Sequence, residues 1–442
     1  MKTKIIFLLC ICITTLVYSY PPSLEAKTLI QKENLVYVGA FRVPRGNLGG
    51  DSTIYSFGRG GRGLAYNQNN NSLILSGKDT EKLAIEISIP TPVNSTNIAD
   101  LNYASLVQAP GNITGGTWSN LGKDGSLVPN GGVVGDFLVY SNRLVLSAYA
   151  YYDANVEAAL SHGVASLDWA VGGANFSGFK RVGTPVATSV NGGFVGDSMT
   201  KIPAEWQSSL GYPALTGAGA LPIVTRTSMG PSIWGFDPDD IGVVDPAPAT
   251  AFVVYPLAHP TLGDYSDSPS LYYNRSTNFG GMVFPDQGDT VLVFGRHGLG
   301  ITGLGDSCYG TGTADETLHG TDVGDGSHYC YDPLDTSKGG HAYPYVYQVW
   351  AYDANDLLSV KKGEMNYWEV IPDVWNFDLP FAPDNHYIYG ATYDPGTKRI
   401  FVSQYMADTW ADQYEPNPII HVFKVQLDVA DSGVLPPQNL SL

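Results

Sequence analysis

A short stretch of sequence occurs four times in this chain and constrains its fold more than any other feature. Each copy begins with glycine, continues through apolar residues to an aromatic residue, turns through polar residues, and ends in a second apolar stretch. The copies are Gly63–Tyr66 with Leu73–Ser76, Gly135–Tyr140 with Leu144–Ser147, Gly281–Phe284 with Val291–Phe294, and Gly390–Tyr393 with Ile400–Ser403. Apolar flanks around turns rich in Asn, Asp, Gly and Pro are typical of β-hairpins.

A second repeated stretch supports an all-β fold built from like units. Ile233–Ile241 matches Val349–Leu357 in the order of its Trp, aromatic and acidic residues. Radial repetition of a small all-β unit closes a β-propeller without long exposed edges, so the repeats predict a β-propeller with long inter-blade loops. Dividing about 420 residues into units of roughly 50 to 60 predicts seven blades, with six and eight as the neighbouring solutions.

The ends of the chain indicate how such a ring would close. Asn34–Val43 and Ile419–Gln426 both alternate apolar and polar residues as half-buried strands do, and we expect them to pair in one blade. Helix is scarce, with Ala154–His162 and Pro203–Leu210 as the predicted helical segments.

Residues 1–19 have the pattern of a secretory signal peptide. Lys2 and Lys4 precede an apolar run from Ile5 to Val17, and Ser19 suits the cut site. The run is shorter than the roughly 18 apolar residues of a membrane span. We therefore predict a secreted protein, extracellular or periplasmic, with one propeller domain over residues 20–434, a flexible tail over 435–442, and no membrane span.

Two cysteines remain outside the predicted signal peptide. Cys308 and Cys330 are expected to form a disulfide, because thiols oxidise in exported proteins. It would pin Gly300–Lys338, a polar segment predicted to be one long functional loop. A structural metal site is the alternative, because histidines lie nearby in sequence at positions 297, 319 and 328.

The charge balance and the motifs exclude several classes of function. Loss of the signal would leave 22 basic against 42 acidic residues, a net charge near −20, which disfavours nucleic acid as a partner. The sequence has no nucleophile elbow, P-loop, zinc-protease motif or EF-hand. Gly58–Gly63 matches a dinucleotide-binding pattern, but it precedes a predicted strand rather than a helix.

Scarce arginines at the ends of predicted strands are the main positive signal. Arg59 and Arg62 precede one strand, Arg226 follows another, and Arg296 follows Val291–Phe294. Strand ends in a propeller face a rim or the central channel, so these side chains could converge on an anionic ligand. The alternative is that each arginine pairs with a carboxylate inside its own blade.

Histidine and tyrosine supply candidate proton carriers. His341, Tyr343, Tyr345 and Tyr347 alternate, so they would share one face of a strand, and Tyr149 begins a second aromatic cluster before His162. Tyrosines can stack on sugar rings or pack between blades. Two acidic clusters, at 237–240 and 322–325, could hold a structural Ca²⁺ or serve as turns; no other cofactor or metal is predicted.

As a whole the chain resembles secreted bacterial β-propellers and, more loosely, seven-bladed propeller polysaccharide lyases that cleave acidic algal glycans. The resemblance implies a lyase acting on an anionic polysaccharide by β-elimination. Arg59, Arg62, Arg226 and Arg296 are the candidate substrate-binding residues, with His162, His297 or His341 as base and Tyr149 or Tyr343 as acid. The alternative is a non-catalytic module that binds a glycan or another extracellular protein; a glycosidase would need two facing carboxylates.

Overall fold

The computed structural model describes residues 29–49, 55–129, 131–184, 192–219, 228–266, 268–381 and 386–427. The predicted signal peptide, the predicted tail and Arg226 lie outside the described residues. No helix in the described part of the chain is long and apolar enough to cross a membrane.

Strands dominate the described residues. The strands of the first half are β1 (Leu35–Arg42), β2 (Leu64–Asn67), β3 (Ser72–Ser76), β4 (Ala84–Ser88), β5 (Leu106–Gly111), β6 (Gly132–Tyr140), β7 (Arg143–Ala150), β8 (His162–Ser166), β9 (Met199–Lys201), β10 (Ala214–Ala218), β11 (Ser232–Phe236) and β12 (Ala249–Val253). Those of the second half are β13 (Ala258–His259), β14 (Gly263–Asp264), β15 (Asn278–Val283), β16 (Thr290–Gly298), β17 (Cys308–Thr313), β18 (His328–Tyr331), β19 (Lys338–His341), β20 (Tyr345–Asp353), β21 (Asp373–Phe377), β22 (Ile388–Asp394), β23 (Arg399–Asp408) and β24 (Asn417–Val425).

Short helices connect some of these strands. The α-helices are α1 (Trp169–Gly172), α2 (Gly192–Val195), α3 (Ala204–Leu210) and α4 (Ala354–Lys362). The 3₁₀ turns are Lys32–Asn34, Ile98–Asp100, Lys123–Gly125, Pro238–Asp240 and Glu316–Leu318. Helix α3 confirms the helix predicted after Pro203, and α4 was not predicted.

The helix predicted over Ala154–His162 is wrong. Both carboxylate oxygens of Asp153 accept backbone N–H groups, from Glu157 at 2.7 Å and from Ala158 at 2.9 Å. Val156 has a left-handed φ of 59°. These side-chain hydrogen bonds replace the helical ones, and the segment folds as a loop that leads into β8.

Five sheets of the described residues form the blades of a β-propeller. From the centre outward, blade 1 is β2–β3–β4–β5, blade 2 is β6–β7–β8, blade 3 is β9–β10–β11–β12, blade 4 is β15–β16–β20–β21, and blade 5 is β22–β23–β24–β1. Each innermost strand contacts the next one around the ring, and β22 contacts β2. The ring is therefore closed.

The prediction of seven blades is wrong for the described residues, where the ring closes with five. Dividing the chain length by roughly 50 to 60 residues per blade overestimates the number of blades, because long insertions separate the strands. The largest lies between β16 and β20 and carries a three-stranded sheet of its own. The four clear copies of the hairpin pattern correspond to blades 1, 2, 4 and 5, and in blade 3 helix α3 interrupts the hairpin between β9 and β10.

Apolar side chains fill the space between each blade and the next. The alternation of side chains along a strand sends Val145 toward blade 3 and its neighbour Leu144 toward blade 1. Each of five hydrophobic clusters contains side chains from two neighbouring blades, for example Ile74 and Phe137, Val145 and Trp234, Ile233 and Met282, Val349 and Val402, and Val422 and Leu73. The core is thus a ring of five layers.

Glycine begins each hairpin because neighbouring blades come into contact at the centre of the ring. A Cβ atom on Gly135 would lie 2.1 Å from the carbonyl oxygen of Gly196, and one on Gly390 would lie 2.7 Å from the Leu64 Cβ. Only glycine lets the inner strands approach this closely.

The carboxylate of Asp136 joins the inner strands of three blades. Its Oδ1 accepts the backbone N–H of Leu64 in β2 at 2.9 Å and that of Phe137 in β6 at 2.8 Å. Its Oδ2 accepts the N–H of Met199 in β9 at 2.7 Å. Because Asp136 is only 2% exposed, these bonds are shielded from water.

The expected closure of the ring is confirmed. β1, the first strand of the described residues, pairs antiparallel with β24, the last strand of these residues, so that Leu35 faces Val425 and Arg42 faces Ile419. Blade 5 therefore contains both ends of the described chain.

The insertion between β16 and β20 folds into a small lobe, defined here as residues 308–341. Its strand β17 pairs parallel with β18 and antiparallel with β19. The disulfide between Cys308 and Cys330 is confirmed and joins β17 to β18. The polar composition of Gly300–Lys338 predicts one long loop. This prediction is wrong, because the segment contains β17 and β18 and reaches the start of β19.

Candidate functional site

The five inner strands begin at one end of the channel and finish at the other. The first residues of β2 and β9, Leu64 and Met199, meet Asp136 in the middle of β6, and Gly390 near the start of β22 lies against Leu64. Arg62, Arg296, Tyr387 and Tyr389 lie at this end, which we call the arginine mouth. The other end, where the inner strands finish, is called the opposite mouth.

Arg62 lies directly before β2, on the face of an aromatic ring. Its guanidinium carbon is 3.8 Å from the ring centre of Tyr389. One of its terminal nitrogens donates to the Tyr149 hydroxyl at 3.4 Å, and its Nε is 3.8 Å from a carboxylate oxygen of Asp79. Among the described residues that Nε is buried without a hydrogen-bond partner. Arg62 is thus positioned from three sides and retains donor capacity.

Arg296, at the end of β16, lies between two tyrosines. Its guanidinium carbon is 3.6 Å from the ring centre of Tyr387 and 4.2 Å from that of Tyr345. It donates to the Tyr387 hydroxyl at 2.6 Å and to the backbone carbonyl of Ser276 at 3.2 Å. Stacking on aromatic faces suits the planar, weakly hydrated guanidinium group.

A row of tyrosines connects the two arginines. The ring centres of Tyr387 and Tyr389 are 6.4 Å apart, and the Tyr405 ring stacks on Tyr389 at 4.0 Å. The Tyr151 hydroxyl lies within electrostatic range of Tyr387 and of both arginines. Arg62 and Arg296 therefore lie at the two ends of one row of tyrosines, and the channel entrance beside this row is called the hollow.

Two carboxylates lie beside Arg62, and burial raises the pKa of both. Burial raises the pKa of Asp197 to about 7, although the Arg62 charge and a hydrogen bond from the backbone N–H of Gly219 oppose the shift. Burial also raises the pKa of Asp79, again against the charge of Arg62. A carboxyl that titrates near neutral pH can accept or donate a proton at little cost. Burial raises the pKa of Tyr149 above its usual range, so this phenol is protonated at neutral pH.

The lobe supports Arg296 through a buried carboxylate. Asp332 accepts a hydrogen bond from the Tyr345 hydroxyl at 2.5 Å. The Tyr345 ring in turn lies against the guanidinium of Arg296. The same oxygen of Asp332 is 3.0 Å from His341 Nδ1. Burial opposes the charge on His341, but Asp332 outweighs it and raises the pKa of this imidazole. The lobe thereby fixes one wall of the hollow.

Three predicted site residues meet at the arginine mouth, namely Arg62, Arg296 and Tyr149. Arg59 is exposed in the same glycine run, with its charge acting on Asp79. Tyr343 lies at the lobe, edge-on to Tyr331 and Tyr345. Arg226 lies outside the described residues.

The three candidate histidines are buried away from the hollow. His162 and His297 are 0% exposed and His341 is 2% exposed. His162 contacts Ser161 and Thr216, His297 contacts Thr277, and His341 contacts Asp332 and Ser337. Burial lowers the pKa of His162 to about 3 and that of His297 to about 4. No polysaccharide chain can reach these imidazoles in this arrangement.

The predicted alternation from His341 to Tyr347 does not form one strand. β19 ends at His341, and β20 begins at Tyr345 after a cis peptide bond between Tyr343 and Pro344. Tyr345 faces Arg296, whereas Tyr347 is buried and accepts a hydrogen bond from Gln404 at 2.7 Å.

Sequence reasoning missed Asp79, Asp197 and the tyrosines at 387, 389 and 405. Asp197 had a detectable signal, because Gly196–Asp197 corresponds in blade 3 to Gly135–Asp136 in blade 2. Tyr387 and Tyr389 precede or begin β22 with a spacing of two, which places them on one side of an extended strand.

The acidic clusters considered for Ca²⁺ have local partners. Asp237 accepts the N–H of Asp239, Asp239 pairs with Arg143, and Asp325 pairs with Lys338. In the described part of the chain no group of three His, Cys, Asp or Glu side chains is arranged to hold a metal ion.

The opposite mouth opens into a cavity of about 310 Å³. One residue at the end of each inner strand lines it: Tyr66, Val139, Lys201, Phe284 and Tyr393. Tyr393 donates to Asp286 at 2.5 Å, and Lys398 pairs with the same carboxylate at 2.6 Å. No arginine is among the described residues that line this cavity, in contrast to the arginine mouth.

Comparisons with known proteins give similarities of fold. No protein-family model matches the chain, and no curated protein sequence matches it. The chain is similar to a GH43 endo-arabinanase from Bacillus licheniformis, with 12% identity over 83% of this chain and 94% of that chain and a TM-score of 0.37. It is similar to a glycosyl hydrolase from Bacteroides ovatus, with 10% identity over 91% and 92% and a TM-score of 0.38. It is also similar to the Dos1 propeller, with 8% identity over 85% and 69% and a TM-score of 0.25.

Proposed function

We propose that this protein is a secreted, carbohydrate-active β-propeller that binds an acidic polysaccharide at the arginine mouth and cleaves it by β-elimination. The observation that carries the proposal is the pairing of two guanidinium groups with a row of tyrosine rings around one hollow. Guanidinium groups bind carboxylates in a fixed geometry, and aromatic faces present apolar surface to sugar rings.

Binding would depend on local rather than overall charge. The chain has a formal net charge of −18, so long-range attraction of a polyanion is absent. Arg62 and Arg296 nevertheless place positive charge where the tyrosines exclude part of the solvent, and such interactions are screened less by salt than surface pairs. One uronate ring would lie over the tyrosine row with its carboxylate directed to the guanidinium groups.

The groups around Arg62 supply a complete elimination scheme. Neutralisation of the uronate carboxylate acidifies the neighbouring C5–H bond. In the proposed step Asp197 takes the C5 proton, the C4=C5 double bond forms, and the C4–O bond breaks as Tyr149 protonates the leaving oxygen. Asp197 is then protonated and Tyr149 is deprotonated, and a proton returned from one to the other restores both groups.

A hydrolytic mechanism is the second candidate, and a specific observation favours it. Asp79 and Asp197 both flank Arg62, and burial raises the pKa of each. A glycosidase uses a pair of carboxyl groups as its acid and its nucleophile or base. The two candidates use the same mouth and give different products.

Product analysis separates these candidates. The mature protein is incubated with polygalacturonate, alginate and hyaluronate, and absorbance is followed at about 235 nm, where the C4=C5 bond of the eliminated product absorbs. A rise in absorbance supports elimination, and new reducing ends without absorbance support hydrolysis. Retention on an affinity gel without cleavage supports the binding module, and no retention and no cleavage refutes the proposed function.

The pH dependence of cleavage tests the role of Asp197. Burial raises the pKa of this carboxyl to about 7, and a general base acts in its ionised form. We therefore expect kcat/KM to rise about tenfold per pH unit below about pH 7 and to level off above it. Asp197→Asn should remove this rise together with most of the activity. A rate that falls through the same range would instead make Asp197 the acid.

A further inference from the structure

Two exposed aromatic side chains lie against one buried arginine at the end of β1, where blade 5 meets the segment between β4 and β5. Tyr103 is 40% exposed and Trp410 is 59% exposed. Both rings lie over the guanidinium of Arg42, with its carbon 4.2 Å from the ring centre of Tyr103 and 5.2 Å from that of Trp410. The two rings therefore contact the same guanidinium group. We call this pair the aromatic platform.

The support beneath the platform is rigid. Arg42 is 1% exposed and donates two hydrogen bonds to Asp408, at 2.7 and 2.9 Å. The backbone of Arg42 also bonds to Asn102 and Ala104 on either side of Tyr103, at 2.9 and 2.8 Å. A bidentate ion pair of this kind fixes the orientation of the guanidinium group and hence of the rings on it. Little side-chain freedom is then lost when a ligand binds.

The platform and the mouth are connected through one strand of blade 5. β23 carries Tyr405, which stacks on Tyr389 in the mouth, and Asp408, which holds Arg42 under the platform. Between them the pairing of β23 with β24 is irregular, and Met406 has a left-handed φ of 55°. Bulges of this kind redirect a strand near its end. The chain thus leads outward from the mouth to the platform.

Positive charge lies beside the platform. Arg45 is exposed, and its guanidinium carbon is 5.6 Å from the ring centre of Tyr103. Two exposed rings with an exposed guanidinium group match the chemistry of a sugar ring that carries a carboxylate.

We propose that Tyr103, Trp410 and Arg45 form an outer subsite that binds a second segment of the acidic polysaccharide held in the arginine mouth. This inference rests on the proposed function and adds that the substrate is a polymer long enough to span from the mouth to the platform. Tyr103 and Trp410 stack on the sugar rings, and Arg45 pairs with a uronate carboxylate. The subsite acts in binding and takes no part in the chemical step.

Affinity electrophoresis of the full-length mature protein tests the outer subsite. Native gels contain polygalacturonate, alginate or hyaluronate at increasing concentration, and retardation gives an apparent affinity. Trp410→Ala is expected to weaken retardation about tenfold in the gel that retards the unchanged protein, and Tyr103→Ala to weaken it several-fold. Trp410→Phe should restore most of the affinity, because it keeps an aromatic face.

The matched control is Trp368→Ala. Trp368 is 39% exposed and lies between α4 and β21, toward the opposite mouth. Its replacement should leave retardation unchanged. Thermal denaturation of each variant checks that the fold is intact, and Trp410→Phe keeps the test decisive if Trp410→Ala unfolds.

The outcomes distinguish the two proposals. Weaker retardation by Trp410→Ala with unchanged cleavage of a short uronate oligomer supports the outer subsite. Retardation equal to that of the unchanged protein refutes the subsite and leaves the proposed function standing. Equal weakening by Trp410→Ala and Trp368→Ala also refutes it. If the unchanged protein is neither retarded nor active on any of the three polymers, both proposals fail.

Discussion

Replacement of Arg62 by alanine is expected to lower kcat/KM on an acidic polysaccharide by about a thousandfold. Arg62 is the residue on which the site converges, since Tyr389, Tyr149 and Asp79 all contact it and the charge of Asp197 acts on it. Its removal takes away the charge that acidifies the substrate C–H bond. It also removes the positive charge that opposes the rise in the Asp197 pKa, so the base would titrate at higher pH.

Two further variants make this prediction specific. Arg62→Lys should recover only part of the activity, because an ammonium group keeps the charge but loses the planar, stacked geometry. Arg143→Ala is the matched control, since Arg143 lies at the start of β7, away from the arginine mouth, and pairs with Asp239. Initial rates of product formation measure all three variants. Activity of Arg62→Ala within about tenfold of the unchanged protein would contradict the assigned role.

Replacement of Asp136 by alanine is expected to cost about 4 kcal/mol of unfolding free energy. The change leaves the backbone N–H groups of Leu64, Phe137 and Met199 without their acceptor at a position that is 2% exposed. Each buried donor without a partner costs roughly 1 to 3 kcal/mol, and these three lie on three different blades. Urea denaturation followed by tryptophan fluorescence measures the loss.

Asp136→Asn separates the hydrogen bonds from the charge. An amide oxygen can keep the bonds to Leu64 and Phe137, so the expected loss is smaller than that of the alanine variant. Asp315→Ala is the surface control, because exposed Asp315 accepts the N–H of Thr317 at the start of a 3₁₀ turn. A loss at Asp136 no larger than that at Asp315 would show that the three-strand junction does not depend on the carboxylate.

The repeating part of the fold was predictable from local sequence. Hairpins and ring closure depend on alternation, turn composition and glycine placement, which are visible within about ten residues. The number of blades was not predictable from local sequence, because it depends on how many residues belong to insertions between the strands. The sequence signals both ends of helix α4, because Asp353 caps the N–H of Asn355 and Gly363 adopts the left-handed conformation. The second repeat overlaps the start of this helix, and the repeat was interpreted as a strand.

Site residues were predictable from the sequence only where the residue type alone indicated a role in binding or catalysis. Arginine is scarce in this chain, so Arg62 and Arg296 were visible, and Tyr149 belonged to a dense aromatic cluster. The histidines were misleading because burial, which decides whether an imidazole is reachable, is set by packing between distant strands. The pKa of Asp197 depends on the charge of Arg62, which belongs to another blade. A sequence pattern within one segment cannot predict that two such distant residues lie close together.

The pairing of β1 with β24 has a consequence for biosynthesis. β1 emerges from the ribosome long before its partner β24, because the other four blades lie between them in the chain. Until then blade 5 is incomplete and the nascent molecule has an unprotected sheet edge that invites association with other chains. A chain that ends before residue 417 would therefore lack β24, and its open sheet edge would be prone to aggregation.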